Sequence, residues 1–376
     1  MERETTETFV LGAGPTGLAV AACLRGRGLA FIQVDAAASV GSTWRGHYDR
    51  LHLHTMKAHS ALPGLPFPDT APRYPSRDQV VAYLEAYAAH HGLTPRLGER
   101  VQRARQAGDG WAIETDRRLY QARRLVVASG YNAVPRVPTW PGQPGFPGPI
   151  VHSRAYRSGA AYRGQRVVVV GNGNSGAEIA LDLWEQGAAA VTLVLGGPRY
   201  VVPREVAGLG AQQVSLACTR LPRRVADAIA RRTTRLAVGD LRPYGFREPK
   251  AGPITEVEVH GRVALIDVGT IALIKQGRIG TLVGLARFDG ADVVGEDGRR
   301  VTADAVILAT GYRAGLEAFL DVAAEVVDDR GYPRWHGVAC PGHPGLYFAG
   351  FRNPATGALR ESALEAERIA AAIAGA

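Results

Sequence analysis

A glycine pattern that occurs twice constrains this chain more than any other feature. Phe9-Val10-Leu11 is a short apolar strand that runs straight into Gly12-Ala13-Gly14-Pro15-Thr16-Gly17. Leu18–Arg25 then reads as a helix stopped by Gly26 and Gly28, and a second strand, Phe31–Val34, ends on Asp35. Strand, turn, helix, strand and acid within about 30 residues is the context in which GxGxxG specifies a dinucleotide-binding unit rather than a bare turn. The pattern returns downstream. Val167–Val170, a continuous apolar run suited to a strand buried on both faces, leads into Gly171-Asn172-Gly173-Asn174-Ser175-Gly176. A helix through Trp184, a stop at Gly187 and a strand at Val191–Leu195 complete the second copy. The two copies lie too far apart for a solenoid repeat, so they predict two separate domains.

Each glycine has a physical task. The first allows the tight turn, the second lets the backbone approach a pyrophosphate, and the third permits close packing of helix on strand. The phosphates then meet free N–H groups at the positive end of the helix. Asp35 is placed to accept the hydroxyl protons of an adenosine ribose, which suits FAD. In the second copy no acid follows Val191–Leu195; the chain offers Gly196-Gly197-Pro198-Arg199-Tyr200 instead. Nothing there repels a 2′-phosphate, and Arg199 and Arg204 are candidates to attract one, with plain surface charge as the alternative for each. NADPH fits this site and NADH stays open.

The 376 residues suffice for about two domains, and 46% apolar with 21% charged residues is a globular balance. The expected fold is α/β: two Rossmann-like dinucleotide-binding domains, three-layered on mainly parallel sheets, one inserted into the other. Residues 1–155 form the first part of the FAD domain, 156–311 the nicotinamide domain, and 312–376 the returning part. A Pro- and Gly-rich stretch, 132–149, marks the connection. Before it, Ser76-Arg77-Asp78-Gln79 fits a capping box, and the helix it starts carries His90 and His91 at its end, where the dipole explains them better than ligation. Late in the chain Ala305–Leu308 and Leu346–Phe348 read as strands and Leu359–Ala374 as a closing amphipathic helix.

Two nucleotides in one chain imply electron flow from nicotinamide to flavin. Cys23, Cys218 and Cys340 are scattered, with no CxxC pair and no zinc spacing, so a disulfide acceptor and a metal site are not expected. Oxygen, a quinone or an iron–sulfur partner remain as acceptors. The first residues lack an apolar signal core and no long apolar run occurs, so a cytoplasmic enzyme without an integral membrane segment is expected. The net charge of +9 is carried almost wholly by arginine. Without aromatic interleaving it argues against nucleic acid and suits polyanionic cofactors. Arg220–Arg224 and Arg231–Arg235 flank Val225, Ala228, Ile229 and Leu236 in a basic amphipathic helix, read first as a solvated face. A membrane-surface element and an anion funnel are the other readings of that helix. Nothing in the sequence sets an oligomeric state.

Phe146-Pro147-Gly148-Pro149-Ile150-Val151-His152-Ser153-Arg154-Ala155-Tyr156-Arg157 matches the FxGxxxHxxxY(K/R) signature of flavin-containing monooxygenases. The Tyr at 156 separates the chain from Baeyer–Villiger monooxygenases, whose variant ends in Trp. Tyr48–His54, Gly239-Asp240 with Arg247–Pro253, Ile266–Thr270, Ala309–Tyr312 and Gly345–Gly350 resemble the YUCCA-type members and spread the likeness over nearly the whole chain. The resemblance implies that NADPH reduces FAD, O₂ adds at flavin C4a, and the hydroperoxide passes its distal oxygen to a small organic substrate. Decarboxylation of a 2-oxo acid and N- or S-oxygenation are the reactions implied. A reductase serving a quinone or protein acceptor is the alternative. The resemblance also assigns His54 as the catalytic candidate, and Trp44, Arg45, Leu53 and Gly350 to the flavin, although Trp44 as core filler explains that residue as well. It implies a structural part in the linker for His152. The closing helix near Gly357 is expected to present its positive end to the flavin. The family's Arg–Ser or Arg–Thr pair after the second nicotinamide-domain strand is replaced here by Gly196-Gly197.

Overall fold

The computed structural model describes residues 2–375. The strand Glu2–Leu11 lies at the centre of the first sheet, parallel to Phe31–Asp35 on one side and to Arg118–Val127 on the other. Its far edge is antiparallel: Val101–Ala107 pairs with Gly110–Thr115, which covers the first half of Arg118–Val127. Leu346–Phe348 returns from the end of the chain to pair in parallel with the second half of that strand. The second sheet is parallel throughout, in the order Gly280–Val283, Ala190–Leu195, Arg166–Val170, Ala305–Leu308, Ile150–His152. Ile150–His152 therefore joins the second sheet ahead of the boundary expected at residue 155.

Two passages of chain connect the sheets and run side by side. Val134–Pro135 pairs antiparallel with Tyr312–Arg313, and the Arg136 N–H donates to the Gly311 carbonyl at 2.9 Å. His152 sits on this crossing. Its Nδ1 accepts from the Arg154 N–H at 3.1 Å, so Nε2 carries the proton it donates to the Gly311 carbonyl, also at 3.1 Å. Burial lowers its pKa and keeps the ring neutral.

The first fingerprint helix spans Pro15–Arg25, beginning three residues before the expected start because Pro15 occupies the first helical position, with Gly14 as its N-cap. From Thr16 to Leu24 every residue is buried. It is apolar all round because the sheet covers one side and the closing helix, Ala358–Ala374, the other. Alanines on both helices allow the close approach, and the Thr16 and Ser362 hydroxyls bond at 2.7 Å between them. The capping box at Ser76 is present, and it starts the helix Arg77–His90.

The basic helix, Arg223–Val238, reverses the expected apolar face. Val225, Ile229 and Leu236 are 45%, 40% and 76% exposed, while Ala226 and Val238 are buried. Its inward stripe consists of small residues because it walls a cavity rather than a packed core. Among the described residues no helix is long and apolar enough to cross a membrane.

Candidate active site

Both glycine loops stand at the carboxyl end of a strand flanked by parallel neighbours on either side, where the connections diverge and a crevice opens. Their geometry matches residue for residue. Gly12 has φ +115°, and a Cβ there would lie 2.4 Å from the Ala128 carbonyl oxygen; Gly171 has φ +121° and stands at the same 2.4 Å from that of Ala309. A Cβ on Gly17 would meet the Gly12 oxygen at 2.0 Å, and one on Gly176 the Gly171 oxygen at 1.7 Å. Gly14 and Gly173, by contrast, have nothing within 4 Å. They leave open the space in front of a helix N-terminus that a pyrophosphate fills. The residues present thus fit two dinucleotides.

Around the first loop, Asp35 accepts the Ala13 N–H at 2.6 Å and the Ala37 N–H at 2.7 Å, which fixes its carboxylate against the loop with lone pairs to spare for a ribose. Gly350 packs on Thr16, and its N–H donates to Glu365 at 2.8 Å. Leu53 is buried in the first core and Trp44 is partly buried against it. Arg45 turns outward to pair with Glu85 on the helix Arg77–His90. Around the second loop, Asn174 Oδ1 accepts the Ile266 N–H at 2.7 Å. Arg199 donates to the Val263 carbonyl, and its Nε is buried without a partner.

His54 lies between the two domains. Its Nε2 bonds Glu178, which is buried on the second fingerprint helix, Asn174–Glu185. Tyr48, also buried, faces the same carboxylate and Ser175; burial and Glu178 hold its phenol well above the ordinary value. His47 nearby is pushed down to about 4 by burial. The same helix face continues the latch. Asp182 accepts the Tyr156 hydroxyl at 2.5 Å and the Gly159 N–H at 2.8 Å, and Glu185 pairs with Arg50 at 2.6 Å. Tyr156 of the signature motif is therefore an anchor for the nicotinamide-domain helix.

In the sequence Glu178 is marked only as an acid in an otherwise apolar helix stretch. Gln212 carries no such signal. It takes the Met56 N–H at 2.9 Å and donates to the Thr356 carbonyl at 2.7 Å, tying the second domain to both sides of the first just before the closing helix. His54, Asn174, Gln212 and Gly357 border a cavity of about 360 Å³ that extends between the helices Ala211–Cys218, Arg223–Val238 and Pro253–Glu258. Its walls are mainly aliphatic, and among the described residues no lysine or arginine lines it.

Residues 9–202 match the pyridine nucleotide-disulphide oxidoreductase family. Indole-3-pyruvate monooxygenase YUCCA1 of Oryza sativa subsp. japonica is 40% identical over 363 residues, covering 93% of this chain and 88% of the rice protein. The chain belongs to the YUCCA-type flavin monooxygenases. A further relative, the probable indole-3-pyruvate monooxygenase YUCCA7 of Arabidopsis thaliana, is 38% identical over 359 residues, covering 91% and 82%. In fold the chain is similar to a flavin-containing monooxygenase from Stenotrophomonas maltophilia, with a TM-score of 0.75 at 22% identity and 99% coverage of each. It is likewise similar to cyclohexanone monooxygenase, with a TM-score of 0.76 at 19% identity, covering 99% of this chain and 88% of that one.

As a YUCCA-type enzyme the protein is an NAD(P)H-dependent FAD monooxygenase using FAD and NADPH, and the reductase alternative is not favoured. Bound FAD supplies the oxygen activation and NADPH the electrons. Such chemistry requires no cysteine. All three cysteines are free and buried, and burial raises the thiols of Cys23 and Cys340 to about 11.

Proposed function

We propose that this YUCCA-type monooxygenase oxidatively decarboxylates an aromatic 2-oxo acid of the indole-3-pyruvate class. The observation that carries the proposal is the aliphatic cavity beside His54, of a size that encloses a flat bicyclic side chain. The relatives named for indole-3-pyruvate, aligned over nine-tenths of the chain, support the same substrate. The balance is simple: the 2-oxo acid, O₂, NADPH and a proton give the acid one carbon shorter, CO₂, water and NADP⁺.

In this reading Gly12, Gly14, Gly17 and Asp35 hold FAD, with Trp44, Leu53 and Gly350 around it, while Arg45, paired with Glu85, is left to the surface. Gly171, Gly173, Asn174, Ser175 and Gly176 hold NADPH. His54, fixed by Glu178, faces the reacting region, while the aliphatic walls exclude water from it. The three unpaired cysteines suit a reducing, cytoplasmic setting. A second reading, oxygenation of a neutral sulfur or nitrogen centre, draws on the absence of lysine and arginine from the cavity lining, since such a substrate brings no carboxylate to be paired. Turnover of indole-3-pyruvate and of a thioether, each with product identification, separates the two. Decarboxylated product from the oxo acid at a kcat/KM at least about tenfold higher is expected. Sulfoxide formation with no decarboxylation overturns the first reading.

A further inference from the structure

Beside the apolar cavity, on the adjoining face of the helix Arg223–Val238, with Thr234 bordering both, lies a second and smaller cleft lined by arginines. Arg231 and Arg235 of that helix, Arg199 and Arg247 converge on it, and Arg242 joins them already paired with Asp240 at 2.8 Å. Glu248 is the one acid in its lining. Among the described residues no carboxylate lies within ion-pair distance of Arg199, Arg231, Arg235 or Arg247. Four unpaired guanidiniums around one cleft repel one another, and burying part of one adds a desolvation cost. Arg199 shows that cost: its Nε is buried and unpartnered, and burial with the neighbouring Arg262 lowers its pKa. An anion relieves both terms.

The position of the cleft identifies the anion. Gly196 and Gly197 follow the second strand of the second fingerprint, where the chain meets the ribose in a dinucleotide-binding unit. Asn172, within the glycine loop, accepts the Gly196 N–H at 3.2 Å and donates to the Gly197 carbonyl at 3.4 Å, so this turn is fixed beside the pyrophosphate position. Arg247 comes from a distant loop and donates to the Gly196 carbonyl at 2.8 Å, while its own carbonyl accepts the Arg199 N–H at 3.0 Å. In the first copy the corresponding place holds a carboxylate, Asp35; in the second it holds a glycine turn overhung by an exposed arginine.

We propose that Arg247, in the field of Arg231, Arg235 and Arg199, forms a phosphate-monoester site that receives the 2′-phosphate of NADPH and sets the preference over NADH. This rests on the assignment of NADPH to the second fingerprint. The cationic loop 247 and helix 223–238 thus supply what the glycine turn after the strand lacks.

Calorimetric titration of the FAD-loaded protein with 2′,5′-ADP and with 5′-AMP tests the site without turnover. The wild type is expected to bind 2′,5′-ADP at least about tenfold more tightly than 5′-AMP. Arg247→Ala is expected to remove most of that preference and leave 5′-AMP affinity within about twofold; Arg231→Ala and Arg235→Ala are expected to act in the same direction. All three side chains are exposed, so the fold tolerates their truncation. Inorganic phosphate should compete with 2′,5′-ADP and not with 5′-AMP. Three variants with the wild-type preference overturn the proposal, as does phosphate binding that leaves 2′,5′-ADP affinity unchanged, which marks a separate anion site. Equal wild-type affinity for the two nucleotides overturns the arginine site alone. A wild type that binds neither overturns the nucleotide assignment beneath it.

Discussion

At Gly17 an added methyl group would stand 2.0 Å from the Gly12 carbonyl oxygen, whereas at Gly14 it would meet nothing within 4 Å. Chemically identical substitutions therefore have opposite consequences. Gly17→Ala forces helix and strand apart and is expected to destabilise the protein by about 3 kcal/mol or more, visible as a lowered Tm. Gly14→Ala is expected to leave folding intact and to lower the flavin retained per protein, because the methyl group fills the space of the pyrophosphate. Equal effects of the two on Tm contradict this division of labour. These glycine roles were legible in the sequence because each acts on a partner a few residues away or on the ligand. Glu178 and Gln212 were not: the partners of Glu178 come from residues 48 and 54, and Gln212 meets residues 56 and 356. Such pairings exist only once the domains meet.

Among the elements, the second fingerprint helix does two tasks. Its N-terminus faces the open space at Gly173, and its side carries Ser175, Glu178, Asp182 and Glu185 against the segment 48–54 and the signature motif. In the proposed function Glu178 acts through His54, as a positioning residue. Its carboxylate accepts from Nε2, fixing ring and proton. Glu178→Gln is expected to raise the H₂O₂ released per NADPH consumed several-fold while the KM for NADPH changes little. A double-mutant cycle with His54→Ala is expected to show coupling of about 1–3 kcal/mol on kcat/KM. Additive effects, or a loss of NADPH binding alone, contradict the positioning role. Most strands and helices were legible from periodicity and caps, down to the capping box at Ser76. The basic helix was not, since its sequence shows two stripes and only the tertiary structure decides which faces inward. Ala226, Ala230, Thr233 and Ala237 do so, and Val225, Ile229 and Leu236 face solvent.

For the whole molecule, the same loop-and-helix device is used twice, joined by a crossing of two short antiparallel strands and by the latch at residues 48–54. The glycine fingerprints made the two-nucleotide plan readable. The place where the chain enters the second sheet lies in a Pro- and Gly-rich stretch with little periodicity, so Ile150–His152 became assignable to that sheet only through its pairing with Ala305–Leu308. The positive charge likewise acquires a location, since four unpaired arginines gather beside the second loop. In the proposed function the two nucleotides act in series on oxygen and deliver one of its atoms to the substrate in the aliphatic cavity. Turnover of indole-3-pyruvate under ¹⁸O₂ with NADPH tests it directly. One labelled oxygen in the carboxyl group of the shortened acid and one product per NADPH are expected; unlabelled product, or NADPH oxidation that yields only peroxide at saturating substrate, overturns this sequence of events.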